Sequence, residues 1–101
     1  TPQYLAPEVI QNLSHGFAVD WWSVGILIYE MIFGFPPFEG DRNMKMYEKI
    51  LTAPVEFPEQ PQVRSYTKDI INSLLRKQAH KRLGAGTKGA DTVKRHQFFK
   101  R

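Results

Sequence analysis

The stretch from Asp20 to Phe33 constrains this chain more than any other, because it is helix-length and apolar on nearly every face. Asp20 is suited to cap its start, since a carboxylate accepts bonds from first-turn amides. Behind it come Trp21, Trp22, Val24, Ile26, Leu27, Ile28, Tyr29, Met31 and Ile32, with Glu30 set among them. In a globular protein a helix apolar all round belongs at the centre of something larger. Gly34 and the pair Pro36-Pro37 end it, because proline cannot continue a helix. The apolar part of the run, Val24 to Phe33, falls far short of the roughly 20 residues of a membrane span.

The remaining segments read as further helices around that one. Asp41 is suited to cap a second, carrying Met44, Tyr47, Ile50 and Leu51 at near-helical spacing. Pro54, Pro58 and Pro61 make 53–63 a loop. A third helix is predicted from about Thr67 to Arg76, its stripe set by Ile70, Ile71, Leu74 and Leu75. A short last helix is predicted from Asp91 to about His96, with Phe98 and Phe99 as a hydrophobic latch. No segment reads as a strand, so the expected class is mainly α.

The 101 residues suit one domain with a modest core, and the chain has no cysteine for disulfides or thiolate metal sites. His15, His80 and His96 are too scattered to read as a zinc site. No basic-then-apolar leader opens the sequence. The net charge of +4 crowds into the last third, at Lys77, Lys81, Arg82, Lys88, Lys94, Arg95, Lys100 and Arg101. Such charge can attract nucleic acid or an acidic membrane. No aromatic stacking platform interleaves with it, so a solvated face is the preferred reading.

One motif misleads. Gly84-Ala85-Gly86-Thr87-Lys88-Gly89 satisfies a phosphate-loop pattern, whose chemistry requires a preceding strand to aim glycine amides at phosphates. The residues before it, Lys77 to Arg82, are polar and do not alternate, so a glycine turn between helices is expected.

A second set of motifs points together. Thr1-Pro2-Gln3-Tyr4-Leu5-Ala6-Pro7-Glu8 is followed by Asp20-Trp21-Trp22-Ser23-Val24-Gly25, then Tyr29-Glu30-Met31 and Gly34-Phe35-Pro36-Pro37-Phe38. Lys49-Ile50-Leu51, Phe57-Pro58, Arg82-Leu83-Gly84 and His96-Gln97-Phe98-Phe99 complete the series. In order and spacing this resembles the AGC group of serine/threonine protein kinases, over essentially the whole chain and from the end of the activation segment onward. The opening half is most similar to cAMP-dependent kinases, and Arg82-Leu83-Gly84-Ala85-Gly86 is similar to ribosomal S6 kinases.

The resemblance implies an incomplete helical C-terminal lobe spanning 1–101, without the N-lobe, the catalytic loop or the D-F-G segment. No catalytic residue and no cofactor or metal ligand is expected here, because the elements that handle ATP and Mg²⁺ precede Ala6-Pro7-Glu8 in that family. Thr1 would contact the catalytic loop, while Pro2 and Leu5 would line the pocket for the substrate residue after the phosphorylated Ser or Thr; an ordinary turn is the plainer alternative. Glu30 would receive an arginine upstream of the target residue; the plainer alternative is a bond to a neighbouring hydroxyl such as Tyr4, and the two roles can coexist. Gln3 replaces the Glu usual in cAMP-dependent kinases, which weakens a preference for a more distant arginine. Glu8 and Arg82 match a buried ion pair, Asp20 an anchor for the catalytic-loop backbone, and Trp22 a structural core position.

The expectation is therefore part of a serine/threonine kinase acting on protein substrates with upstream arginine, docked to the rest of its domain. Neither nucleic acid nor membrane is an expected partner, and the expected compartment is intracellular, cytoplasmic or nuclear. The alternative is a non-catalytic, kinase-derived helical scaffold that grips partners through the Asp41–Leu51 helix.

Overall fold

A computed structural model describes residues 5–13, 16–38 and 44–100, with the backbone alone described at 44 and 45. Among the described residues five α-helices follow one another: α1 Pro7–Ile10, α2 Ala18–Phe33, α3 Met44–Thr52, α4 Ser65–Leu74 and α5 Gly89–Lys94. Single 3₁₀ turns stand at Ala79–Lys81 and Gln97–Phe99, and no strand occurs among the described residues. The mainly α class is what the fold shows.

Helix α2 is the pillar. Trp22, Gly25, Ile26, Tyr29 and Phe33 recur at helical spacing and are buried. They meet Ile70, Ile71, Leu74 and Leu75 of the α4 region, with Ile50 and Met46 of α3 and Phe38 closing the core. Each fully buried Leu, Ile or Phe contributes roughly 1.5–3 kcal/mol of apolar transfer. Gly25 sets the α2–α4 approach: a Cβ there would lie 2.8 Å from Leu75 Cδ2 and 2.9 Å from Leu74 Cβ.

The opposite face of α2 is open. Leu27 and Met31 are 51% and 76% exposed, and Val24 and Ile28 are half-buried beside them. All-round apolarity thus divides into a buried face and an uncovered one, and Asp20 shares the uncovered stripe.

Asp20 is not the N-cap. Amides of Val19 and Asp20 donate to Gly16 O and Phe17 O at 3.1 and 3.0 Å, so a backbone turn starts the helix earlier. Phe17 takes the cap position without a side-chain bond, and Asp20 sits in the first turn. There its charge still favours the helix N-terminus. Gly34 ends α2 at φ 86°, its amide donating to Glu30 O at 2.8 Å.

Other boundaries shift by about two residues. Helix α4 begins at Ser65 because Arg64 is extended, and it ends where Leu75 leaves helical dihedrals. Helix α5 stops at Lys94, and the extended His96 caps the following turn. Phe98 packs against the core, whereas Phe99 stands edge-on to it and half exposed, so only one ring of the expected latch is seated. Asp41 lies outside the described residues.

Candidate functional site

Glu8 and Arg82 meet in the interior. Arg82 Nη1 donates to Glu8 Oε2 at 2.7 Å and Nη2 to Oε1 at 2.9 Å, with the side chains 0% and 6% exposed. The fork geometry of guanidinium and carboxylate gives both bonds at once. Pro7 opens α1, where its missing amide costs nothing, and places Glu8 in the first turn. The guanidinium is then saturated by backbone: Nη1 also donates to Ala18 O at 2.9 Å and Nε to Arg76 O at 3.0 Å. Its Cζ lies 5.0 Å from the Trp22 ring centroid. One side chain thereby ties α1, the start of α2 and the end of the α4 region.

Leu5, just ahead of α1, lines a cleft of about 570 Å³ with Ile10, Tyr47, Glu48, Leu51 and Thr52. Its walls come from α1 and α3, which pack on each other. The wall chemistry is mainly apolar, suited to an aliphatic or aromatic side chain. Thr1, Pro2, Gln3 and Tyr4 lie outside the described residues. Glu30 is half-buried on α2, next to Tyr29, whose hydroxyl donates to Glu56 O at 2.6 Å. Trp22 is fully buried and stacks on Phe38 at 6.0 Å, and its indole Nε1 finds no acceptor among the described residues.

The basic tail is not uniformly solvated. Arg82 is buried as described. Lys77 Nζ donates to Ile50 O at 2.6 Å and Lys49 O at 3.3 Å, and lies 4.1 Å from the Phe38 centroid and 5.6 Å from that of Trp22. A cation near a helix C-terminus meets both orphan carbonyls and the negative dipole end. Burial first, and the Arg82 charge second, lower its ammonium to about 8. Lys81, Lys88, Lys94, Arg95 and Lys100 are exposed, in keeping with a solvated face. Nothing in the sequence separated Lys77 from these neighbours; its partners lie 27 and 28 residues away.

The glycine segment is a turn. Gly84 is buried at φ 91° under the Trp21 indole, and Ala79–Lys81 upstream is a 3₁₀ turn rather than a strand. No cluster of three or more His, Cys, Asp or Glu that could hold a metal occurs among the described residues.

A helical pillar, an ion-paired loop anchor and an apolar cleft beside that loop define the described helical lobe. The protein kinase domain family matches residues 1–99, and the chain belongs to it. It is 51% identical over 100 residues to cAMP-dependent protein kinase catalytic subunit PRKX of Mus musculus, covering 99% of this chain and 28% of that protein. Flippase kinase 1 of Saccharomyces cerevisiae is 50% identical over 101 residues, covering 100% of this chain and 11% of that protein. Serine/threonine-protein kinase AGC1-5 of Arabidopsis thaliana is 44% identical over 99 residues, covering 98% and 17%. These relatives, cAMP-dependent kinases among them, agree with the resemblance of the motif order to the AGC group. It spans 28% or less of the length of these relatives.

Proposed function

We propose that the protein carrying these residues is a serine/threonine kinase that transfers the ATP γ-phosphoryl group to Ser or Thr of protein substrates. Residues 1–101 would supply its peptide-docking floor and the support beneath its catalytic loop. The observation that carries this reading is the Glu8–Arg82 clamp, which fixes the segment containing Leu5 over the α1–α3 cleft.

Phosphoryl transfer is chiefly positioning and electrostatics. The contribution proposed for this chain is to hold the substrate backbone, with Leu5, Pro2 and Thr1 under the residue that follows the phosphorylated one. Glu30 would receive an upstream arginine. Asp20 and the open stripe of α2 would seat the remainder of the domain. ATP and Mg²⁺ do not fit the described residues, which offer neither an acidic metal set nor glycine amides delivered by a strand. The chain alone is therefore expected to give only background label from ATP and Mg²⁺ on a basic peptide. No membrane-spanning helix is present among the described residues.

In the full-length protein, Glu30→Gln should lower kcat/KM for arginine-bearing peptides by about tenfold or more, the value of a charge-assisted bond. Peptides lacking arginine should be spared. An equal loss on both would assign Glu30 a structural role and remove the arginine preference from the reading. The second reading, a non-catalytic scaffold, draws on the same apolar cleft because α3 forms one wall of it. H-R-D and D-F-G motifs upstream of Thr1 support the enzyme; their degradation supports the scaffold.

A further inference from the structure

His96 makes two hydrogen bonds that fix its proton. Its Nδ1 accepts from the Phe98 amide at 3.0 Å, and its Nε2 lies 2.6 Å from Asp69 Oδ2 on α4. A backbone amide can only donate, so Nδ1 must carry its lone pair. The ring proton therefore sits on Nε2 and is donated to the carboxylate. Held this way, the neutral ring joins two structures: α4 through Asp69, and the Gln97–Phe99 turn through the cap on Phe98.

A second proton changes the two ends differently. On Nδ1 it would face the Phe98 N–H, and the cap would become a contact between two donors. On the Nε2 side the new positive charge strengthens the bond to Asp69. Imidazole is the side chain whose ordinary charge change falls between about pH 5 and 8. The ring is 12% exposed and Asp69 68% exposed, so water and protons reach the pair from the carboxylate side.

We propose that His96 is a pH-sensitive latch on the C-terminal turn: protonation at Nδ1 releases the cap on the Phe98 amide, while Nε2 keeps the ring tied to Asp69. What the latch holds is specific. Phe98 packs against the core, and Phe99 stands edge-on to it at 5.1 Å. The turn's other backbone bonds, Phe99 N to His96 O and Lys100 N to Gln97 O, are both 3.0 Å and do not involve the ring. Opening is thus local to the cap. The titratable groups lining the same cleft are Asp69 and Tyr66 of α4, with Ser65 and Gln97 neutral beside them. On the ring's own segment, Lys94, Arg95 and Lys100 are exposed.

The test uses the full-length protein labelled with ¹⁵N-histidine and ¹⁵N-phenylalanine, followed from pH 8.5 to 5. At high pH, ring nitrogen shifts should report the Nε2–H form and the Phe98 amide should be protected from exchange. As the ring protonates, Phe98 protection relative to the intrinsic exchange rate at each pH should fall about tenfold along the same titration, the scale of one lost hydrogen bond. His96→Asn, which retains an acceptor and does not titrate, should leave Phe98 protection flat. Asp69→Asn retains an acceptor for Nε2–H, so the high-pH form should be unchanged and Phe98 protection should still follow ring protonation. An Nδ1–H form at pH 8.5 would overturn the proposal, as would Phe98 protection that ignores ring protonation in both the parent and Asp69→Asn.

Discussion

The indole of Trp21 occupies the space where a side chain at Gly84 would stand, 2.4 Å from Trp21 Cδ1 to an ideal Cβ. The contact joins the first turn of α2 to the turn that follows Arg82. Gly84 also sits at φ 91°, a region that costs an L-residue roughly 1–2 kcal/mol. Gly84→Ala should therefore destabilise by about 2–5 kcal/mol, conformational strain and overpacking together. Gly34 is the control, because its φ is 86° and no atom lies within 4 Å of a built Cβ. Gly34→Ala should cost only the strain, about 1–2 kcal/mol. Urea unfolding of both variants checks the pair, and equal losses would mean that Trp21 yields freely.

The Glu8–Arg82 pair should be costly to break from either side. Removing one partner of a buried pair leaves the other charged and unsolvated, a loss of roughly 3–5 kcal/mol. Glu8→Ala should fall in that range. Arg82→Lys should behave as a break rather than a conservative change, since one ammonium cannot replace the fork on Glu8 together with bonds to Ala18 O and Arg76 O. Midpoints of chemical unfolding distinguish these outcomes. A loss under about 1 kcal/mol for Arg82→Lys would show that the backbone acceptors matter little.

Much of the fold was legible because its signals are local. The apolar run of α2, its stop at Gly34, the proline loop of 53–63 and the α4 stripe each lie within one stretch of sequence. Boundaries were less legible, since they depend on one residue's backbone: Arg64 and His96 are extended for reasons no propensity records. Asp20 looked like a cap because its residue type suits one, yet the turn at Gly16-Phe17 starts the helix first. The Glu8–Arg82 pairing was expected only through family resemblance, for nothing in either residue's neighbourhood announces a partner so far along the chain. Lys77 and Trp21–Gly84 left no signal, because each is defined by tertiary neighbours alone.

Lys77 gives stability a direction with pH. Its ammonium is lowered to about 8 by burial and then by Arg82, against the ordinary lysine value of 10.5. Below about 8 both folded and unfolded chains carry the proton. Between about 8 and 10.5 the unfolded chain binds more protons, so this group's contribution to stability rises with pH. Solvent screening of a partly exposed group keeps the amplitude small. Comparing the parent with Lys77→Met isolates it: the parent's advantage should widen from pH 7.5 to 10. A narrowing advantage would mean that the Ile50 and Lys49 carbonyls and the Phe38 ring favour the ammonium more than burial penalises it.

The uncovered stripe of α2 makes a prediction about residues 1–101 as an isolated polypeptide. Leu27 and Met31 are exposed on the side away from the Trp22, Ile26, Tyr29 and Phe33 face, flanked by Val24 and Ile28, which are half-buried against the core. Contiguous apolar surface of this kind on a monomer favours association. Light scattering should therefore show self-association that deepens with concentration. Leu27→Lys with Met31→Glu should suppress it, and should leave the melt unchanged because neither side chain contributes to the core. If the double variant associates as strongly as the parent, the contact lies elsewhere. If the parent is a monodisperse monomer with a sharp melt, the stripe needs no cover. A lobe that closes its own core could stand without a catalytic loop on α2, and the scaffold reading would then gain over the enzyme.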